Sequence, residues 1–177
     1  MNMINEPNRS CCIRLWSDNR ELFEKAQGSI VKHQAWRGGY LQHLEEVMNI
    51  AIAIYTPLNS LRALPFSLPS ALLVLYLHDL EKPFKQEHPE RFLDVEGKKK
   101  REVIEAFKSE IIGKYGLVLS DDEKNGLQYV EGEIDDYSLS ERKMNELATF
   151  CHCCDILSAR AWYDRPLGER DSWRGGI

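Results

Sequence analysis

The sequence predicts an all-α fold: a single helical bundle of about six or seven helices that forms one domain over residues 1–177. Apolar residues recur at helical spacing in most segments, and few segments alternate as a half-buried strand does. A chain of 177 residues can bury about two-thirds of its unfolded surface, which is enough for one core. We find no internal repeat and no linker between domains in the sequence.

The first two predicted helices cover residues 18–26 and 40–55. Asp18 and Glu21 have the spacing of a capping box, in which two side chains satisfy free N–H groups at a helix start. Apolar residues form a continuous stripe along the second helix. Pro57 is expected to end that helix, because proline lacks the N–H that a helix interior needs.

The third predicted helix is the most hydrophobic part of the chain. Ser67 and Pro69 mark its start. Residues 71–77 are apolar on all sides, so we expect this helix to lie at the centre of the bundle. Pro83 is expected to end it.

Two further helices are predicted in the middle of the chain. The basic run 98–101 is interpreted as a solvated turn that leads into the first of them. Gly113 and Gly116 bracket the end of this helix, and Ser120 with Glu123 forms a capping box that opens the second.

The last predicted helix covers residues 140–162. Its inner side carries small and apolar residues at helical spacing. Residues 164–177, rich in glycine towards the end, are expected to form a loose C-terminal tail.

Charge and composition exclude some classes of function. The formal net charge of -5 argues against binding to nucleic acid polymers, which depends on a surplus of lysine and arginine. The chain lacks a run of about eighteen apolar residues, and its first residues lack the apolar core of a signal peptide, so we expect no membrane contact and a cytoplasmic protein. The five cysteines form two tight clusters, which favours a reducing compartment.

The doublet His78-Asp79 directly follows the apolar run 71–77. Burying an imidazole beside a carboxylate is costly unless something such as a metal ion compensates. His43 and Asp155 lie on two other predicted helices, so the fold can bring all four side chains together. Nitrogen and oxygen ligands of this kind suit Mn, Co, Ni, Fe, Zn or Mg and do not select among them. The sequence therefore predicts a divalent metal site.

Three segments carry a resemblance to a known family. They are Gly-Gly-Tyr-Leu-Gln-His at 38–43, Leu-Tyr-Leu-His-Asp-Leu-Glu-Lys at 75–82 and His-Cys-Cys-Asp at 152–155. Their order and surroundings resemble the HD-domain metal-dependent phosphohydrolase superfamily, over about residues 32–162. The resemblance implies a helical bundle with a metal in its middle, held by the four side chains identified above.

The resemblance also implies catalytic roles near the doublet. Lys82 matches a lysine found three residues after the doublet in many members, and it would contact a phosphate oxygen. Asp79 or Glu81 would orient or deprotonate the attacking water. The 5′-deoxynucleotidase members and some nucleotide triphosphohydrolases tend to carry glutamate at the position of Lys82, whereas here the glutamate stands one residue earlier, at Glu81.

Other residues complete the predicted site. Arg37 and Lys85 are weaker candidates for binding the phosphate, and His33 is a candidate for lining the pocket, with a surface capping role equally open. His152 shares a helix face with Asp155 at i, i+3 spacing and is expected to support it from outside the metal sphere.

A second metal ion is a minority alternative. In binuclear family members the aspartate of the doublet bridges two metals, which would assign that role to Asp79. Those members carry a histidine-rich cluster before the final aspartate, whereas this chain has carboxylates there, with Glu131 and Glu133 as the candidate ligands.

These observations favour a phosphohydrolase that acts on a small phosphate ester or anhydride. The resemblance makes a nucleotide the expected substrate, with a deoxynucleotide phosphatase or triphosphohydrolase as the first alternative. A phosphodiesterase for cyclic or signalling nucleotides is the second. From a different class, a noncatalytic helical sensor or scaffold could retain the metal for stability. The oligomeric state is left open.

Overall fold

The computed structural model describes residues 1–93 and 100–162, and it is all-helical over these ranges, as predicted. Two short 3-10 helices, at Pro89–Phe92 and Ile134–Asp136, accompany eight α-helices in the described residues. The α-helices are α1 (Asn8–Asp18), α2 (Arg20–Lys25), α3 (Gly39–Leu61), α4 (Leu68–Leu77), α5 (Glu81–Glu87), α6 (Lys100–Tyr115), α7 (Asp121–Tyr129) and α8 (Glu146–Arg160).

Helix α4 forms the centre of the fold. Every residue from 71 to 77 is buried, and the helix packs against α3, α7 and α8. It begins as predicted, with the Ser67 side chain accepting a hydrogen bond from the N–H of Ser70. A Cβ atom at Gly126 of α7 would lie 3.0 Å from a Val74 methyl group, so the glycine allows close packing of α7 on α4.

Both prolines expected to end a helix lie inside one instead. Helix α3 continues through Pro57 to Leu61. Pro57 and Ala53 are exposed, so water can take the place of the hydrogen bond that the proline cannot donate. Pro83 is the third residue of α5, and a proline is tolerated there because the first turn of a helix leaves its N–H groups unpaired.

Two predicted helix starts were also wrong. Asp18 ends α1, a helix that was not predicted, and Asn19 precedes α2 without a side-chain cap, so the capping box with Glu21 does not form. Helix α8 begins at Glu146 rather than at Ser140, because the Asn145 side chain accepts a hydrogen bond from the N–H of Ala148 and caps it.

The middle of the chain agrees more closely with the prediction. Ser120 and Glu123 form the expected capping box at the start of α7, with both hydrogen bonds present. Gly116 follows α6 with a φ of 71°, the left-handed conformation that glycine adopts readily. Residues 98 and 99 of the basic run and the C-terminal segment 164–177 lie outside the described residues.

No helix in the described part of the chain has the length and apolar character needed to cross a membrane.

Candidate metal centre

Four predicted ligands from three parts of the fold meet at one point. His43 lies in the second turn of α3, His78 and Asp79 form the turn between α4 and α5, and Asp155 lies in the middle of α8. The Nε2 atom of His43 lies 3.1 Å from Asp155 Oδ1, 3.4 Å from Asp79 Oδ2 and 3.3 Å from His78 Nε2. The His78 Nε2 atom lies 3.2 Å from Asp79 Oδ2 and 3.6 Å from Asp155 Oδ1.

These separations fit a small divalent cation. Ligand atoms held about 2.1 Å from one ion in a tetrahedral arrangement lie roughly 3.4 Å apart. Two imidazole nitrogens and two carboxylate oxygens are also a donor set that zinc, iron and manganese accept. His43, His78 and Asp155 form a group that could hold a metal ion, and Asp79 Oδ2 lies within 3.4 Å of the Nε2 atoms of both histidines.

Hydrogen bonds orient both histidines towards the centre of the cluster. The Ser158 hydroxyl donates to Glu46 Oε2 at 2.8 Å, so it accepts from His43 Nδ1 at 2.9 Å. The Nδ1–H group of His78 donates to the carbonyl oxygen of Leu75 at 2.7 Å. In the neutral form of each ring the remaining nitrogen, Nε2, therefore presents a lone pair to the cluster.

Burial and charge have opposite effects on the two histidines. Burial lowers the pKa of His43. Burial also disfavours the charged form of His78, but the carboxylates of Asp79 and Asp155 outweigh it and raise the pKa to about 10. Without a metal, His78 therefore carries a second proton, on Nε2, which faces the carboxylates of Asp79 and Asp155. This proton occupies the region where a cation would bind.

The two carboxylates are held in their charged form. Burial alone would raise the pKa of Asp79, but His78 and Lys82 lower it well below its usual range. The contacts of Asp155 with the Nε2 atoms of His43 and His78 likewise outweigh burial and lower its pKa. The cluster thus presents two anionic ligands near neutral pH.

Lys82 stands at the exposed side of the cluster. Its amino group binds Asp79 Oδ2, and its side chain is 25% exposed, compared with 3% for Asp79. Burial alone would lower the pKa of Lys82, but Asp79 outweighs it and raises the pKa, so the amine remains charged. A cation that touches both a ligand and solvent is suitably placed to bind an anion.

Glu81 points away from the histidines. Its carboxylate lies 3.0 Å from the amino group of Lys108 in α6, which also binds the carbonyl oxygen of His78. Ligand atoms of Asp79, Glu81 and Glu131 lie within 4.8 Å of one another, so this trio could hold a second cation. Glu81 is therefore adjacent to the cluster without joining the four ligands.

Glu133 does not join this carboxylate trio. Its Oε1 atom accepts hydrogen bonds from the N–H groups of Lys143 and Met144, at 3.2 and 2.9 Å. Of the two glutamates predicted as ligands for a second metal, the structure brings only Glu131 to Asp79. Glu133 instead holds the segment before α8.

His33 lies beside the cluster, although it lines neither of the described cavities. Its ring centroid is 4.7 Å from that of His43, and its Nδ1–H group donates to Gln34 Oε1 at 2.6 Å. Gln34 has a φ of 38°, a left-handed conformation that is rare outside glycine, and its amide donates to Glu46 at 2.8 Å. The strained residue thus links His33 to the carboxylate behind His43.

The remaining predicted residues lie farther from the ligands. Arg37 is exposed before α3 and makes no hydrogen bond or ion pair with any described residue. Lys85 is half-buried and lines a cavity next to Glu81. The Nδ1–H group of His152 donates to the Val130 carbonyl oxygen at 2.6 Å, so His152 supports the turn that carries Glu131.

Sequence reasoning missed three residues that support the site: Glu46, Ser158 and Lys108. Glu46 follows His43 at i+3 and Ser158 follows Asp155 at i+3, so each shares a helix face with a ligand. A buried carboxylate and a hydroxyl at that spacing could have been noticed. Lys108 lies on an otherwise apolar face of α6, and nothing in its local sequence connects it to His78.

Comparison of the chain with family models, with curated proteins and with solved structures finds no match.

Proposed function

We propose that this chain is a metal-dependent phosphohydrolase of the HD-domain type, acting in the cytoplasm on a small phosphate ester, with a nucleotide as the expected substrate. The observation that supports this best is the convergence of two Nε2 atoms and two carboxylate oxygens, with a charged lysine at their exposed side. All five cysteines are free, which agrees with a reducing compartment.

A divalent ion bound here would supply a water of lowered pKa and would offset negative charge that develops on the phosphoryl group. The surrounding protein prepares three of the four ligands, His43, His78 and Asp79, for this role. Ser158 and the Leu75 carbonyl keep the Nε2 lone pairs of the histidines turned inward. Burial of Asp79 keeps bulk water from competing for its oxygens.

Lys82 would bind a nonbridging phosphate oxygen. Its amino group is charged, partly exposed and already within reach of a ligand oxygen, so a phosphate seated at the cluster would meet it without a large movement. In this proposal Asp79 holds the metal and also aligns Lys82. Glu81 is tied to Lys108, so its role is to accept a proton or hold a second cation at the edge of the site.

The test is metal analysis followed by a screen for turnover. The purified chain is assayed for bound metal, stripped with chelator and reloaded with Mn, Co, Ni, Fe, Zn or Mg before incubation with nucleoside phosphates and cyclic nucleotides. Release of phosphate identifies a phosphatase or triphosphohydrolase, whereas a linear nucleotide without free phosphate identifies a phosphodiesterase. We expect Asp79→Ala to lose both metal and turnover, and Asp18→Ala, at an exposed residue of α1, to retain both.

One alternative is a noncatalytic scaffold stabilised by its metal. The ligands His43 and His78 are almost fully buried, as a purely structural site would be. Bound metal with no turnover of any phosphate ester would favour the scaffold. Turnover that persists in Asp79→Ala would contradict the assigned site.

A further inference from the structure

A cavity of about 920 Å³ lies beside the metal centre, between α6 and α7. Helix α6 packs against α1 and α5, whereas α7 packs against α4 and α8, so the two helices diverge and leave a cleft. A cleft of this size falls within the range of about 300 to 1,000 Å³ that binds small organic molecules. Inorganic phosphate alone would need far less space.

The cleft lies next to the site, although none of the four ligands lines it. Glu81, Lys108 and Glu131 are among the residues that line it. The carboxylates of Glu81 and Glu131 lie within 4.8 Å of Asp79, and Lys108 binds the carbonyl oxygen of His78. The cleft is therefore near enough to the four ligands to receive the organic end of a molecule whose phosphate lies at them.

The chemistry of the walls indicates what that end is. Apolar side chains from both helices form much of the lining, among them Ile104, Ile112 and Leu127. The exposed side chains of Ser109 and Gln128 add polar groups on opposite walls. Apolar faces with a few polar groups suit a flat organic group whose edges form hydrogen bonds.

Three of the four cations that line the cleft are paired with carboxylates, which argues against a second phosphate there. Arg101 binds Glu105 and Asp136, at 2.9 and 3.1 Å. Lys108 pairs with Glu81. Lys124 also lines the cleft and lies 2.8 Å from Asp121. The cleft thus suits an uncharged group better than a polyphosphate chain.

We infer that the α6–α7 cleft binds the organic group of the substrate, a nucleoside or a similar flat group with polar edges, and that the enzyme prefers monophosphate esters. This inference rests on the proposed function. It assigns Ser109 and Gln128, which touch none of the four ligands, to substrate selection.

The experiment narrows the cleft by placing a tryptophan on its α6 wall or on its α7 wall. Ser109→Trp and Gln128→Trp start from exposed residues, so both variants should fold, and Ala106→Trp is the control, since Ala106 is exposed on α6 outside the cleft. Nucleoside 5′-monophosphates and inorganic pyrophosphate serve as probes, with KM and kcat from turnover and Kd from calorimetry on the metal-loaded protein. We expect both cleft variants to raise KM and Kd for the nucleotide about tenfold or more with little change in kcat, and the control to leave both unchanged.

The outcomes separate this inference from the proposed function. Suppose that the wild type binds the nucleotide, that both cleft variants bind it more weakly and that no protein turns it over. This result would support the assignment of the cleft and contradict the proposed hydrolase activity. Turnover with equal KM in the wild type and both cleft variants would support the hydrolase and overturn the inference. Turnover of pyrophosphate with no binding of any nucleoside monophosphate would overturn it as well.

Discussion

The imidazole of His43 donates a hydrogen bond from Nδ1 to the hydroxyl of Ser158 at 2.9 Å. The same hydroxyl donates to Glu46 Oε2, and Glu46 also accepts from the amide of Gln34. Both Glu46 and Ser158 are buried, so their hydrogen bonds have no solvent to replace them. This series of hydrogen bonds keeps the candidate ligand His43 in the tautomer with its proton on Nδ1.

Replacing Ser158 by alanine should weaken metal binding. His43 would lose the acceptor that holds its Nδ1 proton, and loss of such a partner typically costs about 10- to 100-fold in metal affinity. The buried Glu46 carboxylate would also lose a donor, at about 1–3 kcal/mol in free energy of unfolding. Competition with a chelator measures the first effect and urea denaturation without metal the second. Cys153→Ala, at an exposed position of α8, should alter neither quantity. Unchanged metal affinity in Ser158→Ala would contradict the role given to the hydrogen bonds from His43 through Ser158 to Glu46.

Lys82→Gln should impair turnover while metal content stays the same. The substitution removes the charge expected to bind a phosphate oxygen, and loss of one such group costs about a hundredfold in rate. Asp79 keeps its contacts with both histidines. Steady-state kinetics on the best substrate, with metal analysis of the same sample, tests this. Lys25→Gln on α2 is the control, and a Lys82 variant with the wild-type rate would disprove the assigned contact.

The metal-free protein should lose stability as pH rises from neutral towards 10. The pKa of His78 is about 10 in the folded chain, above the ordinary value of 6.5. Its contribution to stability is therefore fully present below about pH 6.5 and is lost as pH rises through about 10, by up to about 1.4 kcal/mol per pH unit. Urea denaturation in chelator at pH 6, 8 and 10 measures the slope. His78→Gln should flatten this slope relative to the wild type; equal slopes would show that another group is responsible.

Gly39→Ala should destabilise the fold, and Gly113→Ala should not. A Cβ atom at Gly39 would lie 1.9 Å from the backbone oxygen of Gln34, so the loop that carries His33 would have to move. A Cβ atom at Gly113 meets nothing within 4 Å, and alanine in a helix interior is favoured by about 0.5–1 kcal/mol over glycine. Thermal denaturation compares the two variants. Equal stability of both would show that residues 34–39 can rearrange freely.

Local patterns predicted the parts of the fold that depend on local physics. The apolar run 71–77 predicted a central helix, and the Ser120–Glu123 spacing predicted a capping box, because both depend on neighbours within a few residues. The two helix ends predicted from prolines were wrong, because whether a proline ends a helix depends on solvent exposure and on its place within the helix. Pro57 and Pro83 show both cases.

The candidate site likewise has residues that the sequence predicted and residues that it did not. His43, His78, Asp79 and Asp155 were predicted together, and the structure brings them together. Lys108 could not be predicted, because its link to His78 depends on how α6 packs beside α5. Glu133 was misassigned because its carboxylate binds backbone N–H groups before α8, a partner that a list of carboxylates does not reveal.

The four ligands are supplied by α3, by the α4–α5 turn and by α8. During synthesis His43, His78 and Asp79 therefore leave the ribosome well before Asp155 and Ser158. Until α8 docks, the nascent chain offers an incomplete set of donors, and His43 lacks the hydroxyl that sets its tautomer. If the proposed metal binds, its tight binding would therefore come late in folding and would indicate that α8 has docked against α3.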